Sequence, residues 1–311
     1  MSKIPNRQEI CIVLCTAAQT DKNITVLCSD SRGSSSMTEF FNRFPEQSVE
    51  MGIAEQNLVS VGAGLALCGK KVFIASPACF LASRSYEQAK VDVAYNNTNV
   101  KLIGVSGGVS YGALGATHHS LQDIAAFCAL PDMRVYLPCD IYQTRRLTEE
   151  LLKDDKPAYI RVSRTPSNDV YSENDDFILD KAHIFTENES NDVVLAACGE
   201  MVYEALQAKE ILEQKGISAC VIDMYCLKPF DSETLIKMAE NAKLVVTVEE
   251  HSPFGGLGSM VSQVISANCP RKTISLSLPD GHIVSGTNKD IFRHYGLYGE
   301  GIAKVVMEAL Q

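Results

Sequence analysis

Short, largely apolar segments alternate with helical segments along most of this chain, and the alternation restricts the folds it can adopt. Continuous apolar strands are typical of strands buried on both faces, and their alternation with helices predicts a parallel sheet covered by helices on both sides. In the first half the sequence predicts helices at 8–20, from Glu55 to about Gly69 and at 83–95, and strands at 24–28, 72–75, 100–105, 134–137 and 158–162.

A second series of strands and helices occupies the C-terminal part of the chain. Its strands are predicted at 193–197, 219–223, 244–249 and 273–278, and its helices near 201–214, 231–241, 257–267 and 299–310. Between the two series, residues 166–192 are rich in Asn, Ser, Asp and Glu, which is typical of a partly solvated connection. We therefore predict an α/β protein with a larger domain at 1–170, a linker at 171–190 and a smaller packing and assembly domain at 191–311.

The composition disfavours several classes of partner. The formal net charge of −10 argues against nucleic acid, because phosphate contacts need clustered Lys and Arg. No run reaches the roughly 18 apolar residues of a membrane span, and the polar N-terminus does not resemble a secretory signal. The 11 cysteines are scattered in apolar runs without a Cys-x-x-Cys pair, which is typical of reduced thiols. We expect a cytoplasmic protein that binds neither nucleic acid nor membranes.

Ligands of parallel sheets bind in the crevice outside the carboxyl ends of the strands. The loops at these ends are 29–36, 76–82 and 106–120. The third loop is rich in glycine, which allows close approach of the backbone to a ligand, and it carries His118 and His119, two of six histidines. A flexible loop with surface histidines is the alternative, and these residues alone leave both interpretations open.

Glu55 stands at the start of the predicted central helix, ahead of Leu58, Val61 and Leu65 at helical spacing. A glutamate in a first turn is usually favoured simply by the helix dipole. The functional interpretation is a carboxyl group held among apolar neighbours, where it can share a proton with a ring nitrogen of a ligand. The residues around Glu55 do not decide between the two.

Several segments together resemble, in order and spacing, the C-terminal half of transketolases. They are Met-Gly-Ile-Ala-Glu-Gln-Asn at 51–57, Ala-Cys-Phe-Leu at 78–81, Gly-Ala-Thr-His at 115–118, Leu-Pro-Asp-Met at 130–133, Ser-Arg at 163–164 and the segment 248–258. The resemblance covers nearly the whole chain. It implies a thiamine-diphosphate pyrimidine-binding domain followed by a smaller α/β transketolase C-terminal domain. The implied activity is transfer of a two-carbon ketol unit from a ketose, expected to be phosphorylated, to an aldose.

The resemblance also implies roles for residues at the cofactor. Glu55 is expected to be catalytic, because a hydrogen bond from its carboxyl group to the aminopyrimidine ring of thiamine diphosphate lets the exocyclic amine act as the local base. Phe80 is expected to stack on the aminopyrimidine, with Tyr86 near the same pocket, although either aromatic can instead fill the core. Asp30 matches an aspartate close to the thiamine site, and a turn residue is the alternative.

Further residues are implied on the substrate side. His118 resembles a catalytic histidine that hydrogen-bonds the sugar and relays protons, and it is favoured over His119. Arg164, Arg7 and Ser34 match positions that hold the phosphate of sugar substrates, a task that suits guanidinium geometry. Arg161 aligns with an arginine of the related deoxyxylulose phosphate synthases, and an exposed strand residue is the alternative.

A motif that transketolases use for the diphosphate is absent from this sequence. Complete transketolases bind the diphosphate and its divalent metal through Gly-Asp-Gly and an Asn-rich segment, and no Gly-Asp-Gly occurs here. We therefore expect one subunit of a split enzyme, with Mg²⁺ or Ca²⁺ and the diphosphate held mainly by a separate N-terminal subunit in an α2β2 heterotetramer. No metal ligand is assigned to this chain, which is expected to bind the cofactor poorly alone.

Two departures from the family pattern bear on the substrate. Leu114 stands where transketolases usually have an aspartate that recognises a substrate hydroxyl, and Ser106 stands where many have a phosphate-contacting histidine. Loss of the acceptor weakens discrimination for the usual sugar, so the substrate stays open, and unusual sugars such as apulose 4-phosphate or sulfofructose are candidates beside xylulose 5-phosphate. The alternatives are a deoxyxylulose phosphate synthase-like enzyme, the β subunit of a 2-oxo acid dehydrogenase, and a non-catalytic scaffold or regulatory subunit.

Overall fold

Two sheets of mainly parallel strands form the framework of the protein. The computed structural model describes residues 4–185, 188 and 190–311. In chain order the strands are β1 (Ile24–Cys28), β2 (Ser48–Glu50), β3 (Lys71–Pro77), β4 (Val100–Val105), β5 (Arg134–Tyr136), β6 (Ala158–Val162), β7 (His183–Ile184), β8 (Val193–Ala197), β9 (Ala219–Asp223), β10 (Cys226–Lys228), β11 (Leu244–Val248) and β12 (Lys272–Leu276).

Helices cover both faces of these strands. They are α1 (Asn6–Ala17), α2 (Thr38–Arg43), α3 (Glu55–Leu67), α4 (Ala78–Arg84), α5 (Tyr86–Gln88), α6 (Asp123–Cys128), α7 (Ile141–Lys153), α8 (Met201–Gln214), α9 (Ser232–Ala239), α10 (Leu257–Asn268), α11 (Asn288–Tyr295) and α12 (Gly299–Leu310). A π-helical segment spans Ala89–Tyr95, and 3-10 turns span Pro45–Gln47 and Gly112–Thr117. None of the helices in the described part of the chain is long and apolar enough to cross a membrane.

The first sheet has seven strands in the order β10-β5-β6-β4-β3-β1-β2, with β10 antiparallel to β5 and the other neighbours parallel. Strands β1, β4 and β6 are buried along their whole length, as expected between two helical layers. Because β1, β3 and β4 are adjacent and parallel, the loops after them emerge at the same edge of the sheet. The candidate site lies at this edge.

The second sheet has five strands in the order β12-β11-β8-β9-β7, and only the pairing of β7 with β9 is antiparallel among its described strands. Strands β8, β9 and β11 are fully buried, and α8 and α12 pack together beside them. The predicted α/β architecture with two sheets is therefore confirmed.

Most elements lie where the sequence predicts them, and seven of them (β1, β4, β6, β8, β9, α8 and α12) have the predicted bounds. The predicted single helix at 83–95 is wrong. Helix α4 begins directly after β3, Ser85 separates it from α5, and a π-helical segment follows. Strands β2, β7 and β10 were not predicted, because segments of two or three residues carry too little periodicity.

Strand β10 comes from the second half of the chain but joins the first sheet beside β5. The ammonium group of Lys228, the last residue of β10, donates hydrogen bonds to the carbonyls of Cys128 and Leu130. The two halves are thus held together by a shared strand as well as by side chains. No local pattern predicts this pairing, because the partners lie far apart in sequence.

The segment predicted as a linker at 171–190 packs against both halves where it is described. The Tyr171 hydroxyl donates to Asp223 Oδ2 at 2.7 Å, and the Tyr171 amide donates to Asp140 Oδ2 at 2.7 Å. Phe177 contacts the core of the first half, and β7 extends the second sheet. None of its described residues is buried, so these contacts fit a partly solvated connection, while the part of the prediction at Thr186, Glu187 and Glu189 lies outside the described residues.

Candidate active site

Glu55 is the first residue of α3, and its side chain is only 5% exposed. The turn before it is formed by Gly52, whose positive φ of 70° suits glycine, and by a hydrogen bond from the Met51 amide to the Cys28 carbonyl at 3.0 Å. This bond ties the start of α3 to the carboxyl end of β1. Glu55 Oε1 accepts a hydrogen bond from Arg84 Nη1 at 2.9 Å. The carboxylate is thus fixed at a strand end and has one cationic partner.

Phe80 and Arg84 lie four residues apart on α4, so their side chains share one face of the helix. The Arg84 guanidinium carbon lies 4.0 Å from the centroid of the Phe80 ring, which is a close cation–π contact. The sequence predicted a site role for Phe80 but none for Arg84. The i, i+4 spacing from Phe80 was a signal that could have found it.

His118 is held by the glycine-rich loop. Gly108 and Ser120 exchange two backbone hydrogen bonds of 3.0 and 2.8 Å, which close the loop, and Gly115 adopts a positive φ of 68° just before the histidine. The His118 ring lies edge-on to Phe80, with ring centroids 5.3 Å apart. His118 Nδ1 is 2.9 Å from the hydroxyl oxygen of Thr117. The loop therefore brings the predicted histidine to the predicted aromatic residue.

A second aromatic residue connects His118 to the arginines. The Tyr111 ring centroid lies 5.1 Å from that of His118, and the Arg164 guanidinium carbon lies 5.0 Å from the Tyr111 ring centroid. No site role was predicted for Tyr111, because a single tyrosine in an irregular glycine-rich loop belongs to no periodic pattern or motif. Tyr111 joins the histidine to the region predicted for phosphate.

Arg7, near the start of α1, completes this region by donating a hydrogen bond to the Ser34 carbonyl. Burial, and next the charge of nearby Arg164, lower the pKa of Arg7. Arg7 Nε is enclosed and has no hydrogen-bond partner within the described residues. Two guanidinium groups that repel each other in a partly buried place favour an anion, because its charge would relieve the repulsion.

These residues form one series. Direct contacts link Glu55, Arg84, Phe80, His118, Tyr111 and Arg164 in that order, and the charge of Arg164 acts on Arg7, which contacts Ser34. Six elements or loops contribute to it: α1, the loop after β1, α3, α4 and the loops after β4 and β6. The structure thus brings together six of the residues predicted from the sequence and adds two.

Tyr86 and Asp30 have no contact with this series that the structure records. The Tyr86 hydroxyl donates to the Ala126 carbonyl at 3.0 Å, and its ring packs edge-on to Phe127 in the core. Asp30 is exposed at a positive φ of 53°, and its amide donates to Glu50 Oε1 at 2.6 Å. Both contacts agree with the structural alternatives, and the cofactor-binding roles of the two residues stay predictions.

Arg161 lies in a buried cluster of charged residues, and its substrate-binding role stays a prediction. It is only 5% exposed, so the alternative of an exposed strand residue is wrong. Its guanidinium lies 3.5 Å from the Asp123 carboxylate and 3.6 Å from that of Glu250, and it donates to the Glu250 carbonyl at 2.7 Å. Burial raises the pKa of Glu250 to about 8, against the opposing effect of Arg161. Arg161 thus joins the two halves of the chain, and none of these contacts is with the series above.

The two positions that depart from the family pattern also differ in exposure. Leu114 is 54% exposed on the glycine-rich loop, close in sequence to Tyr111 and His118. Ser106 is fully buried at a positive φ of 59°. His119 is buried as well, with Nε2 3.2 Å from the Gly112 carbonyl oxygen, and burial lowers its pKa. His119 therefore supports the loop, in agreement with the preference for His118.

The surroundings of Glu55 fit the pyrimidine half of the predicted cofactor. An open cleft of about 500 Å³ is lined by Glu55, Arg84, Ile53 and their neighbours. A buried carboxylate beside an aromatic face offers a hydrogen-bonding edge and a stacking surface to a flat heterocycle. In the described part of the chain, no group of three or more His, Cys, Asp or Glu side chains is placed to hold a metal.

Comparisons with known proteins identify the class of protein. The family model for the transketolase pyrimidine binding domain matches residues 2–168, and the model for the transketolase C-terminal domain matches residues 181–302. The chain belongs to the transketolase family. The family implies thiamine diphosphate and a divalent metal.

Within this family the chain is the C-terminal subunit of a split transketolase. It is 49% identical over 304 residues to one subunit of the apulose-4-phosphate transketolase of Phocaeicola vulgatus, covering 97% of this chain and 96% of that protein. It is 36% identical over 294 residues to a 6-deoxy-6-sulfo-D-fructose transketolase subunit of a Clostridium species, with coverages of 94% and 91%. These relatives confirm the predicted family and enzyme class and do not favour the alternative functions.

Solved structures of transketolases agree with this family assignment. A structure described as "Split gene transketolase, inactive beta4 tetramer" superposes with a TM-score of 0.87 at 34% identity, over 99% of both chains. Transketolase from Campylobacter jejuni superposes with a TM-score of 0.81 at 18% identity, and the chain spans only 46% of it. The second likeness shows a common fold.

Proposed function

We propose that this chain and a separate N-terminal subunit together transfer a two-carbon ketol unit from a ketose phosphate to an aldose. The observation that carries the proposal is the series of residues from Glu55 to Ser34. A buried carboxylate, an aromatic ring, a histidine and two arginines follow one another in it, which supports a cofactor site followed by a site for a phosphorylated sugar. The partner subunit is expected to supply Gly-Asp-Gly, the diphosphate site and Mg²⁺ or Ca²⁺.

Glu55 and Phe80 are the residues that we assign to the aminopyrimidine. Thiamine diphosphate, when bound, supplies the carbon nucleophile for ketol transfer. Glu55 would hold a proton at the carboxyl oxygen that faces a ring nitrogen, and the buried start of α3 fixes that oxygen. The Phe80 ring would orient the heterocycle by stacking.

His118, Arg164 and Arg7 are the residues that we assign to the sugar. Because Thr117 engages Nδ1 of His118, Nε2 is the nitrogen we propose for a sugar hydroxyl. The two guanidinium groups would bind the phosphate at the end of the sugar, with Ser34 beside them. Phosphate binding would bring the sugar carbonyl to the same edge of the sheet as Glu55.

Apulose 4-phosphate is the ketose that we propose. The relative with 49% identity carries that substrate in its name, and the exposed apolar Leu114 lies in the loop that holds His118. A leucine offers no acceptor to a sugar hydroxyl, so the stereochemistry at that carbon is expected to matter less than in ordinary transketolases. Sulfofructose is the second candidate, because it appears in the name of the relative with 36% identity.

Exposed apolar residues on α3 and its neighbours support a partner chain. Ile53, which lines the cleft, is 74% exposed, Leu67 at the other end of α3 is 72% exposed, and Tyr95 on the π-helical segment that packs against α3 is 84% exposed. A partner chain that covered these side chains would remove their apolar surface from water. We propose that the N-terminal subunit covers this side of the cleft in an α2β2 assembly, and that the assembly works in the cytoplasm.

The experiment is reconstitution with the N-terminal subunit and an assay of ketol transfer. Glu55→Gln is expected to lower kcat about 100-fold or more while leaving assembly unchanged by size-exclusion chromatography. Glu39→Gln is the matched control, because Glu39 also pairs with an arginine, Arg43, at 3.1 Å, and neither residue belongs to the series from Glu55 to Ser34. An unchanged rate in Glu55→Gln would favour a scaffold, and turnover of pyruvate with a redox dye but not of ketose phosphates would contradict the reaction class.

A further inference from the structure

The Arg84 guanidinium engages both features that we assign to the cofactor ring. It donates a hydrogen bond to Glu55 Oε1 at 2.9 Å, and its central carbon lies 4.0 Å from the centroid of the Phe80 ring. A guanidinium is planar, carries its hydrogen-bonding groups in its plane and stacks on aromatic faces. An aminopyrimidine has the same three properties. Arg84 therefore satisfies the same two partners that a pyrimidine would use.

Arg84 and a pyrimidine cannot both stack on the same face of Phe80 and hydrogen-bond the same oxygen of Glu55 at once. A separation of 4.0 Å between the guanidinium carbon and the ring centroid is direct contact, so no second flat group fits between them. The edge of Phe80 is approached by the His118 ring at 5.3 Å, which further limits the accessible aromatic surface. A ligand that stacks on the same face of Phe80 and hydrogen-bonds Oε1 of Glu55 has to displace the guanidinium.

We propose that Arg84 is a placeholder for the aminopyrimidine, holding Glu55 and Phe80 ready in the chain without cofactor and withdrawing when the cofactor enters. This inference rests on the proposed function of Glu55 and Phe80. Without a partner the Glu55 carboxylate, which is 5% exposed, would lack a counter-charge. Arg84 supplies it, so the site keeps its arrangement before the partner subunit delivers the diphosphate end of the cofactor.

The position of Arg84 allows it to leave. The side chain is 46% exposed and belongs to the last residue of α4, so it can turn into solvent without breaking a core contact. Ion pairs and cation–π contacts of half-exposed arginines are weak, and together they cost a competing ligand about tenfold in affinity. The contact is therefore strong enough to order the site and weak enough to be displaced.

The test is calorimetric titration of the reconstituted complex, at saturating Mg²⁺, with thiamine diphosphate. Arg84→Ala is expected to tighten cofactor binding about tenfold, because the competitor is gone. Arg84→Lys keeps the charge but loses the planar face, and is expected to give a smaller gain. Arg43→Ala is the matched control, because Arg43 pairs with Glu39 at 3.1 Å and lies 5.3 Å from the Phe44 ring centroid, and it should leave binding unchanged.

Glu55→Gln in the same titration separates the two hypotheses. If Glu55→Gln weakens cofactor binding while Arg84→Ala leaves it unchanged or weakens it, the placeholder role of Arg84 is refuted and the proposed function stands. If Glu55→Gln does not weaken cofactor binding, the proposed role of Glu55 is refuted, and the placeholder role of Arg84 is refuted with it. Support for both requires weaker binding in Glu55→Gln, tighter binding in Arg84→Ala and no change in the Arg43→Ala control.

Discussion

Replacing Arg161 by methionine distinguishes a structural role from the substrate role that the sequence suggested. Methionine keeps much of the side-chain length but leaves the carboxylates of Asp123 and Glu250, which are 0% and 11% exposed, without their cationic partner. Removing one partner of a buried charge cluster costs about 3–5 kcal/mol, a large part of the roughly 5–15 kcal/mol that stabilises a typical protein. We therefore expect a marked fall in the urea midpoint, measured by far-UV circular dichroism.

The loss should depend on pH in a defined direction. The pKa of Glu250 is already raised to about 8 by burial, and removal of Arg161 raises it further. A protonated Glu250 needs no counter-charge, so the destabilisation is expected to be smaller at pH 6 than at pH 9. Titration of the urea midpoint over this range measures the difference.

A matched arginine and a milder variant make the test decisive. Arg146→Met is the control, because Arg146 is 48% exposed and lies 3.9 Å from Glu149, an arrangement worth about 0–1 kcal/mol. Arg161→Lys keeps a positive charge and is expected to lose less stability than Arg161→Met, which matters if the methionine variant does not fold. A raised KM for the sugar phosphate at unchanged stability would refute the structural role and return Arg161 to the substrate site.

Two further predictions concern buried groups. Burial raises the pKa of Asp223 from 3.8 to about 7, so the folded state holds a proton that the unfolded state has lost, and stability falls as the pH rises from about 4 to 7. In urea unfolding, the wild type should lose about 3 kcal/mol of unfolding free energy between pH 5 and pH 8 through this group, and Asp223→Asn should remove that loss. An unchanged slope of stability against pH in Asp223→Asn would contradict the assignment. Of the free cysteines, Cys68 is exposed while eight are buried, so a chromogenic disulfide reagent should titrate one fast thiol per chain. Cys68→Ser should abolish that phase, and its persistence would show that another thiol is accessible.

Local patterns in the sequence predicted much of the fold and several residues of the candidate site. The apolar runs of β1, β4 and β6 predicted strands with the observed bounds, because strands buried on both faces need apolar residues at every position. Ordered motifs around Glu55, Phe80 and His118 predicted the family that the comparisons confirm. Each of these signals is formed by residues that are neighbours in sequence, and neighbouring residues are what a sequence pattern can report.

Only the tertiary structure decided which side chains meet. Arg84 and Glu55 are 29 residues apart, and Arg161 and the Glu250 carbonyl are 89 residues apart, yet each pair is in direct contact. The same holds for β10, which crosses to the first sheet and pairs with β5. Whether an arginine binds a ligand, a buried carboxylate or an aromatic ring depends on what the packing of distant segments places beside it, and the arginine's own neighbours in sequence do not contain that information.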